Sequence, residues 1–288
     1  PAFSKERIAS FMDTMIEHTD DMMQSWKKEK VGNKTDVALE MMHLTLRIVG
    51  KTLLSQDLKN ESSKLGKAVT FSIQLGNKRI QSAYNFPIWL PTPEHLKFKK
   101  EKKYLDGVLN GIISKKRTEK SEGVGDLLDM LIEAKDLDTG ETMSDEQLRD
   151  EVATIFVAGH ETTAQALSWT IYLLSKHPEI EAKLTQHIQE ITQGESLKNE
   201  HVMQLTYVMQ IIEESLRMYP PAWLFARRAL EEDEIDGTKI DKGNSMFISP
   251  YVMHYLPKYW DNPQKFDPER FNIENKKNIE KYVYMPFG

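Results

Sequence analysis

Residues 144–177 read SDEQLRDEVATIFVAGHETTAQALSWTIYLLSKH, and this stretch decides the fold. Ser144 followed three positions later by Gln147 makes a capping box, and the helical pattern continues to Pro178. No proline interrupts the run, so the pattern predicts one helix of about thirty residues, roughly 45–50 Å long at about 1.5 Å per residue. A helix of that length crosses a whole domain, and its centre is expected to be buried. At that centre stands Ala158-Gly159-His160-Glu161-Thr162-Thr163. Glycine costs about 1 kcal/mol relative to alanine in a helix, and threonine hydroxyls divert hydrogen bonds from the ladder. A packing kink and a special site both account for this interruption. In the second reading Gly159 admits a flat cofactor or substrate, and the Thr162 hydroxyl handles a proton, directly or through an ordered water, without titrating.

Other chemistries lose their centre in this chain. His160-Glu161 opens like the zinc motif HExxH, but position 164 is alanine. The eight histidines are scattered without ligand spacing, which favours ordinary surface or core roles. Neither a GxSxG nucleophile elbow nor a phosphate-binding P-loop is present. With 38 basic and 44 acidic residues the net charge is -6, which gives no global attraction to nucleic acid or an anionic membrane. The run KKRTEK at 115–120 is flanked by acidic residues and reads as a solvated helix end. There is no cysteine, hence no disulfide, thiol nucleophile or thiolate metal site within these residues, and this fits a reducing compartment. No apolar run approaches the roughly 18 residues of a membrane span, so a cytoplasmic location is expected, with an upstream anchor left open.

Outward from the long helix, apolar positions recur at helical spacing over most of the chain. Ile8, Phe11, Met15, Met22 and Trp26 predict one amphipathic helix in the first thirty residues, and Asp36 to Leu54 a second, with Gly50 weakening its end. Residues 64–82 form a third, NFPIWLPTPEHLKF is a proline-broken loop, and a charged helix follows from about Lys97 to Lys116. A short helix occupies GDLLDMLIEAKD; beyond the long helix, one runs from Pro178 to before Gly194 and another from Thr206 to Met218. The texture then changes: AWLFARRA, DEIDGTKI and DKGNSMFIS read as short strands joined by turns, and the remainder is irregular but packed. The fold class is mainly α with a minor β-sheet.

Glu214 and Arg217, three apart on one helix face, form by default a surface pair worth a few tenths of a kcal/mol. If buried, with Arg270 of DPERF folding back as third partner, they would form a structural junction.

Three motifs in this order resemble the cytochrome P450 superfamily, in its bacterial-like form. AGHETT at 158–163 is similar to the family's AGxET[TS], ESLR at 214–217 to ExxR, and PERF at 268–271 to the family motif of that form. FARRALEEDEIDGTKIDKG resembles its short strands after ExxR. The resemblance covers residues 1–288, as a single partial domain of that fold. It implies that Ala158 and Gly159 approach the distal face of heme b, and that Glu161 and Thr162 are the acid-alcohol pair delivering protons to iron-bound oxygen. Glu214, Arg217 and Arg270 are then a structural network. Arg227 or Arg228 pairs with a heme propionate: the reading back from the DG turn favours Arg228, and the distance from ExxR favours Arg227. Ala222, Trp223 and Leu224 line the substrate pocket or form strand core.

The family's thiolate loop has the form FxxGxRxCxG, so the match places Phe287 at its first position and the axial Cys beyond Gly288; no metal ligand is expected within the chain. PAFSKERI resembles sequence just after the family's WxxxR helix, so the chain is expected to be a middle portion of a longer protein. The implied activity of that protein is insertion of one atom of dioxygen into an apolar small-molecule substrate, with electrons from a redox protein or a fused reductase, and no nucleic acid. The alternative is a noncatalytic, heme-free relative that keeps the framework for structure or partner binding.

Overall fold

The computed structural model describes residues 4–28, 32, 34–82, 84–118 and 126–288. They form a mainly helical structure with a minor β component, as two compact units, residues 1–164 and 165–288.

In the first unit, α1 (Lys5–Ser10) and α2 (Met12–Lys28) replace the single helix expected for the first thirty residues, the chain turning at Phe11. Helix α3 (Val37–Leu54) starts where the Asp36 carboxylate accepts the Leu39 N–H at 3.1 Å, and ends with Ser55 in the left-handed region at φ 52°. Gly50 belongs in this helix for a packing reason: a β-carbon there would lie 2.6 Å from Leu58 Cδ1, so the neighbouring side chain outweighs the propensity cost. Helices α4 (Ser62–Gln81), α5 (Pro93–Thr118) and α6 (Leu127–Glu133) follow. Helix α5 begins four residues before the expected Lys97, because Pro93 occupies its first turn, where a missing N–H costs nothing.

The basic end of α5 is tied to acidic neighbours. Lys116 Nζ lies 2.9 Å from Asp126 and 3.0 Å from Asp129, and Arg117 lies 2.7 Å from Asp145. Residues 119 and 120 of the KKRTEK run lie outside the described residues.

Helix α7 (Asp145–Lys176) is the long helix, without a break through its glycine and threonines. Ser144 Oγ accepts the Gln147 N–H at 3.2 Å, and Lys176 complements the dipole at the other end. In the first unit Val152, Phe156 and Leu148 of α7 join Leu46, Val49, Leu109, Ile112 and Leu128 in one core.

The second unit holds the end of α7, then α8 (Pro178–Thr192), the one-turn α9 (Asn199–Val202) that the sequence pattern did not reveal, and α10 (Thr206–Met218). Strands β1 (Phe225–Arg228), β2 (Asp233–Ile235), β3 (Thr238–Ile240) and β4 (Ser245–Ile248) form two two-stranded antiparallel sheets, β1 with β4 and β2 with β3, where one small sheet was expected. The β2–β3 turn uses Asp236 and Gly237, both at positive φ (49° and 74°), as a two-residue hairpin turn of this hand requires. After β4 come α11 (Pro250–Met253), a 3₁₀ turn over Pro268–Phe271 and α12 (Ile273–Lys276). Leu173, Ile180, Tyr207, Ile211, Met218 and Phe266 form this unit's main core. The Thr170 hydroxyl donates to Ser215 Oγ at 2.9 Å, fastening the end of α7 to α10.

Candidate active site and cofactor-binding residues

The centre of α7 is buried on one stripe only. Val152, Phe156, His160 and Ala164, spaced four apart, are all buried, whereas Thr154, Ala158 and Thr162 on the opposite stripe are exposed. The expectation of a wholly buried centre is corrected accordingly. The AGHETT residues divide between these faces. His160 is fully buried; its Nδ1–H donates to the Phe156 carbonyl at 3.0 Å, its own carbonyl accepts from Thr45 Oγ1 at 2.9 Å, and burial pulls its pKa below the usual value. Thr45, on α3, is therefore a fastening point for the motif that sequence spacing gave no means of finding.

Thr162 lies on the open face, and its hydroxyl donates to the Ala158 carbonyl at 2.8 Å. The proton is thereby committed to the helix, and both hydroxyl lone pairs stay available to accept from a water or ligand. Thr163 makes the same bond to the Gly159 carbonyl at 3.0 Å. Glu161 is half-buried one position before Thr162. Gly159 points elsewhere: a β-carbon there would meet Val49 Cγ2 at an ordinary 3.5 Å, so the space that glycine leaves opens onto α3.

The second unit brings Glu214, Arg217 and Arg270 together, with the first two completely buried. Arg217 Nε and Nη2 bind the two carboxylate oxygens of Glu214 at 2.6 and 2.8 Å, a bidentate pair unlike the exposed one that spacing alone suggests. Two further donors of the fork are used as well: Nη1 donates to the His254 carbonyl at 2.9 Å and Nη2 to the Lys265 carbonyl at 3.3 Å, and Trp260 lies beneath at 5.2 Å. Glu214 Oε1 also accepts the Asp267 N–H at 3.0 Å and lies 3.4 Å from Arg270 Nε. Burial holds the Glu214 carboxyl above the usual carboxylate range, and Arg217, the Asp267 N–H and Arg270 oppose that shift without cancelling it. Glu213 turns away to Lys276.

On β1 the two arginines differ. Arg227 Nη1 donates to the Ala226 carbonyl at 3.0 Å and its guanidinium lies 4.8 Å from the Phe225 ring. Arg228 is exposed beside Gly243 and has no ion-pair partner among the described residues. Ala222 is half-buried, and Trp223 and Leu224 are exposed at 54% and 38%; all three precede β1, so they are not strand core. Among the described residues no group of three metal-binding side chains converges.

The sequence model of the family described as Cytochrome P450 matches residues 1–288, the whole chain. The chain belongs to the cytochrome P450 family. Curated relatives include Cyclooctatin synthase of Streptomyces melanosporofaciens, 31% identical over 100% of this chain and 62% of its own length. Pentalenene oxygenase of Streptomyces avermitilis is 28% identical, over 100% and 63%. Cytochrome P450 4V2 of Homo sapiens is 29% identical, over 100% and 59%. Bacterial and animal relatives both match, which shows the family without singling out a bacterial-like form of it. The crystal structure of the cytochrome P450DA heme domain superposes with a TM-score of 0.87 at 27% identity, covering 100% of this chain and 63% of that one. The chain thus spans about three fifths of the length of these relatives.

The donor set fits the parts of a heme site that such a stretch would hold. An unpaired guanidinium suits a propionate, and an exposed helix face with an acid and a hydroxyl suits the side where oxygen reacts. The chain has no cysteine, so these residues include no thiolate that could ligate an iron.

Proposed function

We propose that the whole protein containing this chain is a heme-thiolate monooxygenase that inserts one atom of dioxygen into an apolar organic substrate. The observation that carries this is the open Ala158–Thr162 face at the centre of an unbroken 32-residue helix, in a chain of the P450 family. Two relatives named for oxygenation, Pentalenene oxygenase and Cyclooctat-9-en-7-ol 5-monooxygenase, support the same class.

Heme b, when bound, supplies the oxygen activation and electron chemistry. In this reading residues 1–288 are part of one P450 domain, and their task is to hold and to guide. The Thr162 hydroxyl, tied by its proton to Ala158, accepts a hydrogen bond from a water. Glu161 replenishes the proton from the neighbouring position. The small Ala158 side chain leaves the face clear. Gly159, whose free space opens onto Val49, belongs to helix packing instead of the cofactor face assigned to it from sequence. Arg228 is the propionate partner, with Arg227 held back by its own bonds. Trp223, Leu224 and Ala222 offer the apolar surface for substrate ahead of β1. Electrons come from a redox protein or a fused reductase.

The test is the absorption spectrum of the whole protein, reduced and saturated with carbon monoxide. A thiolate-type Soret band is expected. A protein that takes up no heme under reconstitution would end the monooxygenase reading.

A further inference from the structure

His254 has no exposed surface, and each of its ring nitrogens has a partner that fixes its role. Nδ1 lies 2.9 Å from the Arg217 carbonyl, which can only accept, so Nδ1 carries the hydrogen. Nε2 lies 2.9 Å from the Met285 backbone N–H, which can only donate, so Nε2 is bare. A second ring proton would face the Met285 N–H with no acceptor between them. Burial enforces the same state by pushing the pKa down to about 4. The imidazole is stacked on Tyr284 at 5.4 Å, and the Tyr284 hydroxyl donates to the Glu213 carbonyl of α10 at 3.0 Å. The segment before Phe287 is therefore bound to α10 twice: directly through Tyr284, and through His254 at the next residue.

We propose that His254 is a positioning residue, which carries the placement of the buried Arg217–Glu214 pair to the backbone at Met285 and so sets the entry of the chain into the loop that Phe287 and Gly288 begin. This deepens the heme-thiolate reading and rests on it, since in that reading the loop presents the iron's sulfur ligand. A ligand has to be held within roughly half an ångström to keep its bond, and a loop alone does not give that precision; a buried ring bonded at both nitrogens does. No charge is added to the network, because Arg217 already occupies it. A neutral donor-acceptor side chain of imidazole length is what the two backbone groups demand.

The test compares H254F, H254Q and H254N in the whole protein, by amide hydrogen exchange at Met285 and by the band of the reduced, carbon monoxide-bound heme. Gln reaches the Nε2 position and can accept from Met285; Asn reaches only the Nδ1 position. Exchange at the Met285 amide is expected to quicken roughly ten-fold or more in H254F and H254N and to stay near wild type in H254Q. The thiolate-type band is expected to lose intensity to a non-thiolate form in the same two variants and to be restored by Gln. Equal Met285 protection in H254N and H254Q, or a wild-type band in H254F, overturns the proposal. Should H254F not fold, the Asn–Gln comparison decides alone. Should the wild-type protein bind no heme, the monooxygenase reading falls while the exchange comparison still decides the contact at Met285.

Discussion

His254 and Arg217 bond to each other in both directions: the imidazole Nδ1–H donates to the Arg217 carbonyl at 2.9 Å, and the Arg217 guanidinium donates to the His254 carbonyl at 2.9 Å. Two residues 37 positions apart are thereby locked backbone to side chain and side chain to backbone. Glu214 and Arg217 sit at the centre of this lock without solvent, so its energetics are those of an interior ion pair.

Arg217→Ala leaves the Glu214 carboxylate buried without its bidentate partner and frees the His254 and Lys265 carbonyls. A loss of about 3–5 kcal/mol is expected in urea denaturation. The double variant Glu214→Gln, Arg217→Met should recover part of that loss, because neither fully buried position then carries a charge and only Arg270 remains, at the edge of the network.

Acid should weaken the fold through the histidines. His254 stays neutral in the folded chain down to about 4, whereas the unfolded chain takes up its proton near 6.5. The unfolded state thus binds more protons below 6.5, so this contribution is complete above 6.5 and disappears as pH falls toward 4. Between about pH 7 and about pH 5 it amounts to roughly 2 kcal/mol. Burial lowers His160 as well, and burial with the nearby Arg47 lowers His18, so both act in the same direction. Denaturation curves of wild type and H254Q at the two pH values should show a shallower loss in the variant.

Thr162→Ala should leave fold and heme content unchanged, because the side chain is exposed and its hydrogen bond is to its own helix. The fraction of reducing equivalents appearing as peroxide should rise roughly ten-fold, and Thr162→Ser should reverse most of it. Peroxide and product assays on the whole protein measure both; unchanged coupling would remove Thr162 from proton delivery.

Arg228→Ala should speed heme loss by roughly ten- to a hundred-fold, the worth of one charge-assisted bond, while Arg227→Ala changes it little. Transfer of heme to an excess of an acceptor protein gives both rates. The reverse order would assign the propionate to Arg227.

The sequence carried α7 well because Ser144, Pro178 and an uninterrupted apolar pattern mark its ends and length. It carried the meeting of Glu214, Arg217 and Arg270 only through motif resemblance, since three-residue spacing is the same in an exposed pair worth little. The split at Phe11, the start of α5 at Pro93 and the division into two sheets depend on local backbone choices with no strong pattern behind them. His254 and Thr45 were invisible for another reason. Their partners are backbone groups of Arg217, Met285 and His160, and backbone contacts leave no trace in residue identity or spacing.

The most direct test of the function proposed here is the fate of labelled oxygen. The whole protein, supplied with an electron donor and an apolar substrate that perturbs its heme spectrum, would be run under oxygen-18 gas in ordinary water. One labelled oxygen atom per hydroxylated product is predicted. Product carrying only unlabelled oxygen from water would contradict monooxygenation.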